Sequence, residues 1–219
     1  MQGNYGVPNW KRDPLTDLEM FFESNKIQIR GLIVCDYSKE YSHWNAVKSL
    51  GEWLTEAGVP ALYGIDTRSL TKFIRDFGSS VLAKISFDGL PRLDFEDPNK
   101  LNLVSLVSTK EPRTYCAFES SSLPPLHILA FDCGIKFNII RFFIHDHRAR
   151  VTVVPFDYDL ESNPAQIRYD GIFISNGPGD PTFCQATVAS LKFALALDPP
   201  KPIMVSRSHC CRFEADLLD

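Results

Sequence analysis

A basic surplus is missing from this chain: 27 acidic residues outweigh 23 lysines and arginines, giving a net charge of -4. Nucleic acid is therefore not an expected partner, because no excess of cation is available to neutralise phosphates. No run approaches the roughly 18 consecutive apolar residues of a membrane span, so no membrane partner is expected. The opening Met-Gln-Gly-Asn-Tyr-Gly lacks a basic region and an apolar core, and does not read as a secretory signal. No CxxC pair occurs among Cys35, Cys116, Cys133, Cys184, Cys210 and Cys211. Their scatter points to reduced thiols and a cytoplasmic location rather than a disulfide framework. Internal repeats are absent too, and glycine and proline follow no period. What remains is an ordinary globular composition, 44% hydrophobic and 23% charged over 219 residues, enough for one or two cores.

Two halves are joined by a stretch without helical or strand periodicity, 108–125, which reads STKEPRTYCAFESSSLPP and is expected to be a linker. The first half, 1–107, mixes helix and strand signals irregularly. Residues 14–24 are expected to form a short helix with Leu15, Leu18, Phe21 and Phe22 on one side, and 27–37 a strand. Ser42 is expected to cap a helix over 43–57 with Trp44, Val47 and Leu54 in its stripe and Gly58 as its stop. Asp66 caps a second expected helix, 67–77, whose Leu70, Phe73, Ile74 and Phe77 should pack inward, and 79–87 reads as a strand.

The second half, 126–219, alternates regularly. Strands are expected over 127–132, 151–156, 171–175 and 202–206, with helices over 135–146 and 183–197 between them. Strands rich in Ile, Val, Leu and Phe alternating with helices predict an α/β fold with an open, mostly parallel sheet covered on both faces. Ligands of such sheets bind beyond the C-terminal strand ends, where Gly134 and the Gly177-Pro178-Gly179 turn fall. Four strands are few for such a domain, and the sheet reads as incomplete.

Gly177 and Gly179 have no side chain to keep a ligand from their backbone N–H groups, and Pro178 stiffens the turn between them. Such a turn can hold an anion or oxyanion; a tight structural turn explains the same spacing. The pattern is not GxGxxG, and no Gly-Lys-Ser/Thr follows, which weakens nucleotide readings. Cys133 precedes a helix, where a thiol pKa falls. The nearest histidines in sequence, His145 and His147, lie at the far end of that helix, roughly 15 Å away by helical rise, which favours a structural cysteine. His145 and His147 have no third ligand in view and read as a helix end rather than a metal site. His43 beside Trp44 reads as helix N-terminal packing or a solvent-facing group. His209, Cys210 and Cys211 are adjacent in sequence, which does not bring base and thiol into reach.

With these residues in view, the chain resembles the glutamine amidotransferase part of carbamoyl-phosphate synthases, either the small subunit or the fused N-terminal region of multifunctional pyrimidine enzymes. Gly3-Asn-Tyr-Gly-Val-Pro8, Ser42-His-Trp44, Tyr63-Gly-Ile-Asp-Thr-Arg68-Ser-Leu-Thr71, Asp97-Pro-Asn99 and the stretch 104–110 match the N-terminal domain specific to that small subunit. Asp132-Cys-Gly-Ile-Lys-Phe-Asn138 and Ser175-Asn-Gly-Pro-Gly-Asp-Pro181 match the class I amidotransferase domain. The resemblance runs over residues 2–204. It implies a small α/β domain followed by a flavodoxin-like amidotransferase domain, both incomplete. It also implies hydrolysis of glutamine by a Cys-His-Glu triad through a glutamyl thioester, with ammonia passing to a large subunit or fused synthetase domain. ATP and bicarbonate belong to that partner, and no cofactor is expected in this chain. Gly177 and Gly179 are the implied glutamine contacts, Gly177 near the oxyanion. The pathway implied is pyrimidine or arginine synthesis, with the wording of the loop leaning to the pyrimidine type.

After Met204 the family pattern Gly-Ile-Cys-Leu-Gly-His-Gln gives way to Val205, Ser206, Arg207, Ser208, His209, Cys210 and Cys211. Arg207 stands at the nucleophile position and cannot form a thioester. Val205 replaces the glycine of a strained elbow, which a β-branched residue does not adopt cheaply. No catalytic residue is therefore expected in this chain, and the family's His and Glu positions would fall beyond residue 219. The sharp boundary reads as a partial or frame-changed sequence. A catalytically dead fragment, or an interaction protein that docks on the synthetase, is the alternative expectation.

Overall fold

The computed structural model describes residues 5–79, 81–86, 88–89, 91, 94–117, 124–163 and 168–206. It divides into two compact units, one of residues 1–11 and 19–97, the other of residues 12–18 and 98–219.

The first unit is lightly built. Strand β1 (Val7–Pro8) pairs antiparallel with β3 (Ala46–Lys48), and β2 (Leu32–Ile33) pairs parallel with β4 (Ala61–Leu62). The strand expected over 27–37 thus shrinks to two residues, and 81–86 forms no strand. Helix α1 (Leu50–Glu56) starts later than the helix expected from 43. Its cap is Ser49, whose hydroxyl accepts from the Glu52 N–H while the Glu52 carboxylate accepts from the Ser49 N–H. Ser42 has Asn45 three residues on and cannot close that reciprocal box. Trp44, placed in the expected stripe, is 88% exposed. Helix α2 (Thr67–Phe77) has the expected bounds, with Asp66 accepting from the Ser69 N–H and Gly78 ending it at φ +70°. Its expected packing is not made: Phe73, Ile74 and Phe77 are exposed.

The second unit carries the larger core. The helix expected over 14–24 does not form. Asp13 accepts from the Leu15 N–H and Thr16 from the Leu18 N–H, and Asp17 sits at φ +54°. These side chains offer the backbone a local alternative to the helical ladder. A 3-10 turn (Pro98–Lys100) and helix α3 (Leu103–Val107) follow the first unit. Strand β5 (Arg113–Tyr115), inside the stretch expected to be a linker, pairs antiparallel with β7 (Arg150–Pro155). Thr114, Thr152 and His127 make a side-chain chain across these strands, at 2.9 and 2.7 Å.

The expected alternation is realised here. Strand β6 (His127–Asp132), helix α4 (Phe137–His145), β7, β8 (Gly171–Ile174), helix α5 (Gln185–Leu195) and β9 (Ile203–Val205) follow in turn, with a 3-10 turn (Pro181–Cys184) leading into α5. The five-stranded sheet has the order β5-β7-β6-β8-β9, and its last four strands are parallel. It is a mixed α/β, flavodoxin-like arrangement, one strand wider than the four expected from the sequence. Period-two alternation divides the side chains between faces. Leu129, Phe131, Ile172 and Ile174 pack against Val188, Leu191 and Ala194 of α5. Ala130, Val151, Val153 and Phe173 pack against Ile140 and Ile144 of α4. Each fully buried Leu, Ile or Phe contributes about 1.5–3 kcal/mol, and this double cover makes the sheet rigid enough to present its strand ends.

Candidate functional site

The parallel strands reverse their order between β6 and β8: the chain leaves β6 for β7 on one side and later fills β8 and β9 on the other. A crevice opens at the C-terminal ends of strands where order reverses. The two loops there are Asp132-Cys133-Gly134 and Ser175-Asn176-Gly177-Pro178-Gly179.

Asp132 closes the first loop. Its Oδ1 accepts from the N–H groups of Gly134 (2.9 Å) and Ile135 (2.8 Å), and its Oδ2 from the N–H of Thr109 (2.7 Å). Burial pushes this carboxyl above the ordinary aspartate range, and the three N–H donors with Lys110 only partly offset it. Ser175 ties the second loop to the first: its hydroxyl accepts from the Cys133 N–H (3.0 Å) and donates to the Asn176 carbonyl (3.1 Å).

The loops meet at Gly177. A Cβ there would lie 1.9 Å from the Cys133 carbonyl oxygen, so only glycine allows this approach. Gly134, at φ +133°, faces it in turn, its Cβ position 3.2 Å from the Gly177 Cα. Gly179 adopts φ +83°, and its Cβ position lies 3.4 Å from the Leu103 Cβ. Both glycines therefore have a structural reason to be glycine. Among the described residues neither N–H, Gly177 or Gly179, makes a hydrogen bond. The turn thus carries two unengaged backbone donors flanking a proline at the switch point, the chemistry of an oxyanion or carbonyl cradle.

Cys133 is buried, and its thiol shares a hydrogen bond with buried Cys184 in the core below the loops. That bond pulls the Cys184 thiol below its ordinary range, against burial and the Asp180 charge. The structural reading of Cys133 agrees with this placement. His145 and His147 do not converge: His145 Nε2 meets Asp13 Oδ2 at 2.5 Å, and His147 stands edge-on to Phe142 at 4.7 Å. His43 is exposed and stacked on Trp44 at 5.6 Å, not at a helix start. Among the described residues no group of three or more His, Cys, Asp or Glu is placed to hold a metal. None of their helices is long and apolar enough to cross a membrane. Arg207, His209, Cys210 and Cys211 lie outside the described residues. Sequence alone does not single out Asp132, Ser175 and Thr109 as site residues. For Asp132 a signal exists, since Asp-x-Gly after a strand is an Asx-turn pattern.

Comparison with known proteins agrees with this geometry. Residues 1–85 match the family model "Carbamoyl-phosphate synthase small chain, CPSase domain", and residues 129–204 match "Glutamine amidotransferase class-I". The chain is 47% identical over 201 residues to the mitochondrial carbamoyl-phosphate synthase (ammonia) of Aquarana catesbeiana, covering 92% of this chain and 13% of that protein. It is 46% identical over 203 residues to the multifunctional protein CAD of Squalus acanthias, 92% of this chain and 8% of that one. It is 47% identical over 194 residues to the arginine-specific carbamoyl phosphate synthase small chain of Schizosaccharomyces pombe, 87% of this chain and 45% of that one. The chain thus spans less than half the length of each of these curated relatives.

Proposed function

We propose a function from one premise: this chain belongs to the carbamoyl-phosphate synthase small-chain family, with its class-I glutamine amidotransferase domain. The function is that of the glutamine-hydrolysing, ammonia-supplying component of carbamoyl-phosphate synthase, serving pyrimidine or arginine synthesis. Its partner is a synthetase, as a separate large subunit or a fused domain, and that partner uses ATP and bicarbonate. The names of the relatives, one multifunctional and one an arginine-specific small chain, support both forms of partnership.

The observation that carries this reading is the pair of N–H groups at Gly177 and Gly179, unengaged among the described residues, in a turn whose Gly177 packs against the Cys133 carbonyl and whose Ser175 accepts from the Cys133 N–H. Glutamine presents a neutral side-chain carbonyl that becomes an oxyanion during attack, and preorganised backbone donors favour that state over the ground state. We assign glutamine contact to Gly177 and Gly179 and no nucleophile to position 207, where the sequence has an arginine with no nucleophilic atom. The location proposed is the cytoplasm, and cell fractionation decides between it and the mitochondrion named for the Aquarana catesbeiana relative.

The test is titration calorimetry of the chain with L-glutamine, together with a pull-down of the chain on the synthetase. Saturable glutamine binding that Gly179→Val weakens, and retention of the chain by the synthetase, support the reading, while Arg207 at the nucleophile position leaves no glutamine hydrolysis to be expected from this chain. Absence of glutamine binding overturns it.

A further inference from the structure

Residues 102–110 are matched by neither family model, yet they run across the C-terminal ends of the strands where the crevice opens. Three attachments fix them, each to a different strand end. The Thr109 N–H donates to Asp132 at the end of β6, at 2.7 Å. The Ser108 hydroxyl accepts from the Phe156 N–H, just past β7, at 3.1 Å. Leu103 lies against Gly179 in the turn after β8, its Cβ, Cγ and Cδ1 3.4–3.6 Å from where a Cβ would stand. Between these points the segment is locally tied. Asn102 accepts from the Ser105 N–H at 3.0 Å, and the Ser105 hydroxyl returns a bond to the Asn102 carbonyl at 2.7 Å. Val104, 4% exposed, anchors it in the core cluster with Phe156 and Cys184.

The turn it touches needs support. Gly179 is exposed, and neither Gly177 nor Gly179 N–H is engaged among the described residues. A glycine-containing turn left to itself samples many conformations, and backbone donors aimed at a developing charge work only when held in place. Gly134 holds the Gly177 end, through the loop that Asp132 closes. At the Gly179 end the packing is Leu103. One carboxylate, Asp132, therefore binds both the loop behind Gly177 and the segment that carries Leu103.

We propose that residues 102–109 are a positioning strap for the Gly177–Gly179 turn, with Leu103 as the positioning residue that fixes the Gly179 N–H relative to a bound glutamine. The glutamine part of this inference rests on the proposed function; the mechanical part does not. A bland role, in which the strap merely covers the core, would act through Val104 and Ser108 instead. Leu103 and Val104 are neighbours on one short helix, so the two roles separate by substitution.

The experiment uses the full chain and compares Leu103→Ala, Leu103→Met and Val104→Ala. Backbone amide order parameters of Gly177 and Gly179 are measured by NMR relaxation, thermal melts follow stability, and calorimetry with L-glutamine follows affinity. The strap predicts that Leu103→Ala lowers the Gly179 order parameter from about 0.85 towards 0.6. It also predicts that the same variant weakens glutamine binding by about tenfold, the equivalent of 1.4 kcal/mol. Leu103→Met should restore both, and Val104→Ala should lower the melting temperature while leaving the Gly179 order parameter unchanged. An unchanged Gly179 order parameter in Leu103→Ala, or equal loosening by Val104→Ala, overturns the proposal. Should the unsubstituted chain bind no glutamine, the proposed function fails alone, and the order parameters still decide the strap.

Discussion

The Gly177 Cα stands so close to the Cys133 carbonyl oxygen that a Cβ on it would sit 1.9 Å away. That obstacle is main chain at the end of a fully packed strand and cannot swing aside. Gly179, two residues on, is different: its Cβ position makes ordinary contact with Leu103, and only its φ of +83° penalises a side chain. Gly177→Ala is therefore expected to destabilise the second unit by about 3 kcal/mol, the upper range of overpacking. Gly179→Ala should cost only about 1–2 kcal/mol for the left-handed backbone. Urea denaturation of the two variants checks the ranking, and equal destabilisation would show that the interlock yields.

Ser175 makes the same junction from the other side. It is fully buried, accepts from the Cys133 N–H and donates to the Asn176 carbonyl. The Cys133 N–H has a second, longer acceptor in Phe131 O at 3.2 Å, so the loss is buffered. Ser175→Ala should cost about 1 kcal/mol, the low end for leaving a buried polar group short of a partner. The Asn176 amide resonance should shift with it. A cost near zero would mean that the hydroxyl merely fills space.

Much of the second unit is legible in the amino-acid sequence. The continuous apolar runs of 127–132, 151–156 and 171–175 read as buried parallel strands, and their α/β order puts Gly134 and Gly177 at strand ends. The first half is less legible, because weak periodicity competes with side-chain hydrogen bonds. Asp13 and Thr16 turn the chain where 14–24 looks helical, and Ser49 rather than Ser42 has the glutamate three residues on that completes a capping box. Strand β5 gives no local signal because three residues among serines and prolines carry no period, and their pairing is set by Thr114 against Thr152 across 38 positions. The Gly177 approach to Cys133 depends on the register of β8 on β6, which no local pattern encodes. The two loop glycines are readable as special, but whether a ligand or a carbonyl demands them is not.

Asp132 offers a prediction with a pH signature. Burial raises its folded value above the ordinary 3.8. The folded state then keeps a proton that the unfolded chain has already lost, so the stability contributed by Asp132 declines as pH rises from the ordinary value through the raised one. Asp132→Asn should abolish that decline. An amide can still accept from Gly134 and Ile135, but its NH2 would face the Thr109 N–H, donor against donor. Hydrogen exchange at the Thr109 amide is expected to quicken while the sheet amides of β6 keep their protection. Unchanged Thr109 exchange would show that another acceptor serves it.

Asp13 titrates in the opposite sense within the same unit. Burial pushes its carboxyl up, but the His145 hydrogen bond, the Leu15 and Thr16 N–H groups and the His145 charge outweigh it and hold it below 3.8. The unfolded chain therefore takes up the proton first as pH falls. The stability contributed by Asp13 is full above the ordinary aspartate value and is lost as pH drops through the lowered folded value. One proton sets the limit of this slope at about 1.4 kcal/mol per pH unit. Asp13→Asn should remove that part of the acid limb and weaken the tie of the 12–18 turn to helix α4, which Leu18 keeps packed against Ile140 and Ile144. Stability of the wild type and both variants, measured by urea denaturation at closely spaced pH values below 5, tests the pair together. Asp13→Asn should flatten the acid loss and Asp132→Asn should steepen it; slopes that change in the same direction would mean that one of the two carboxyls does not titrate as its surroundings require.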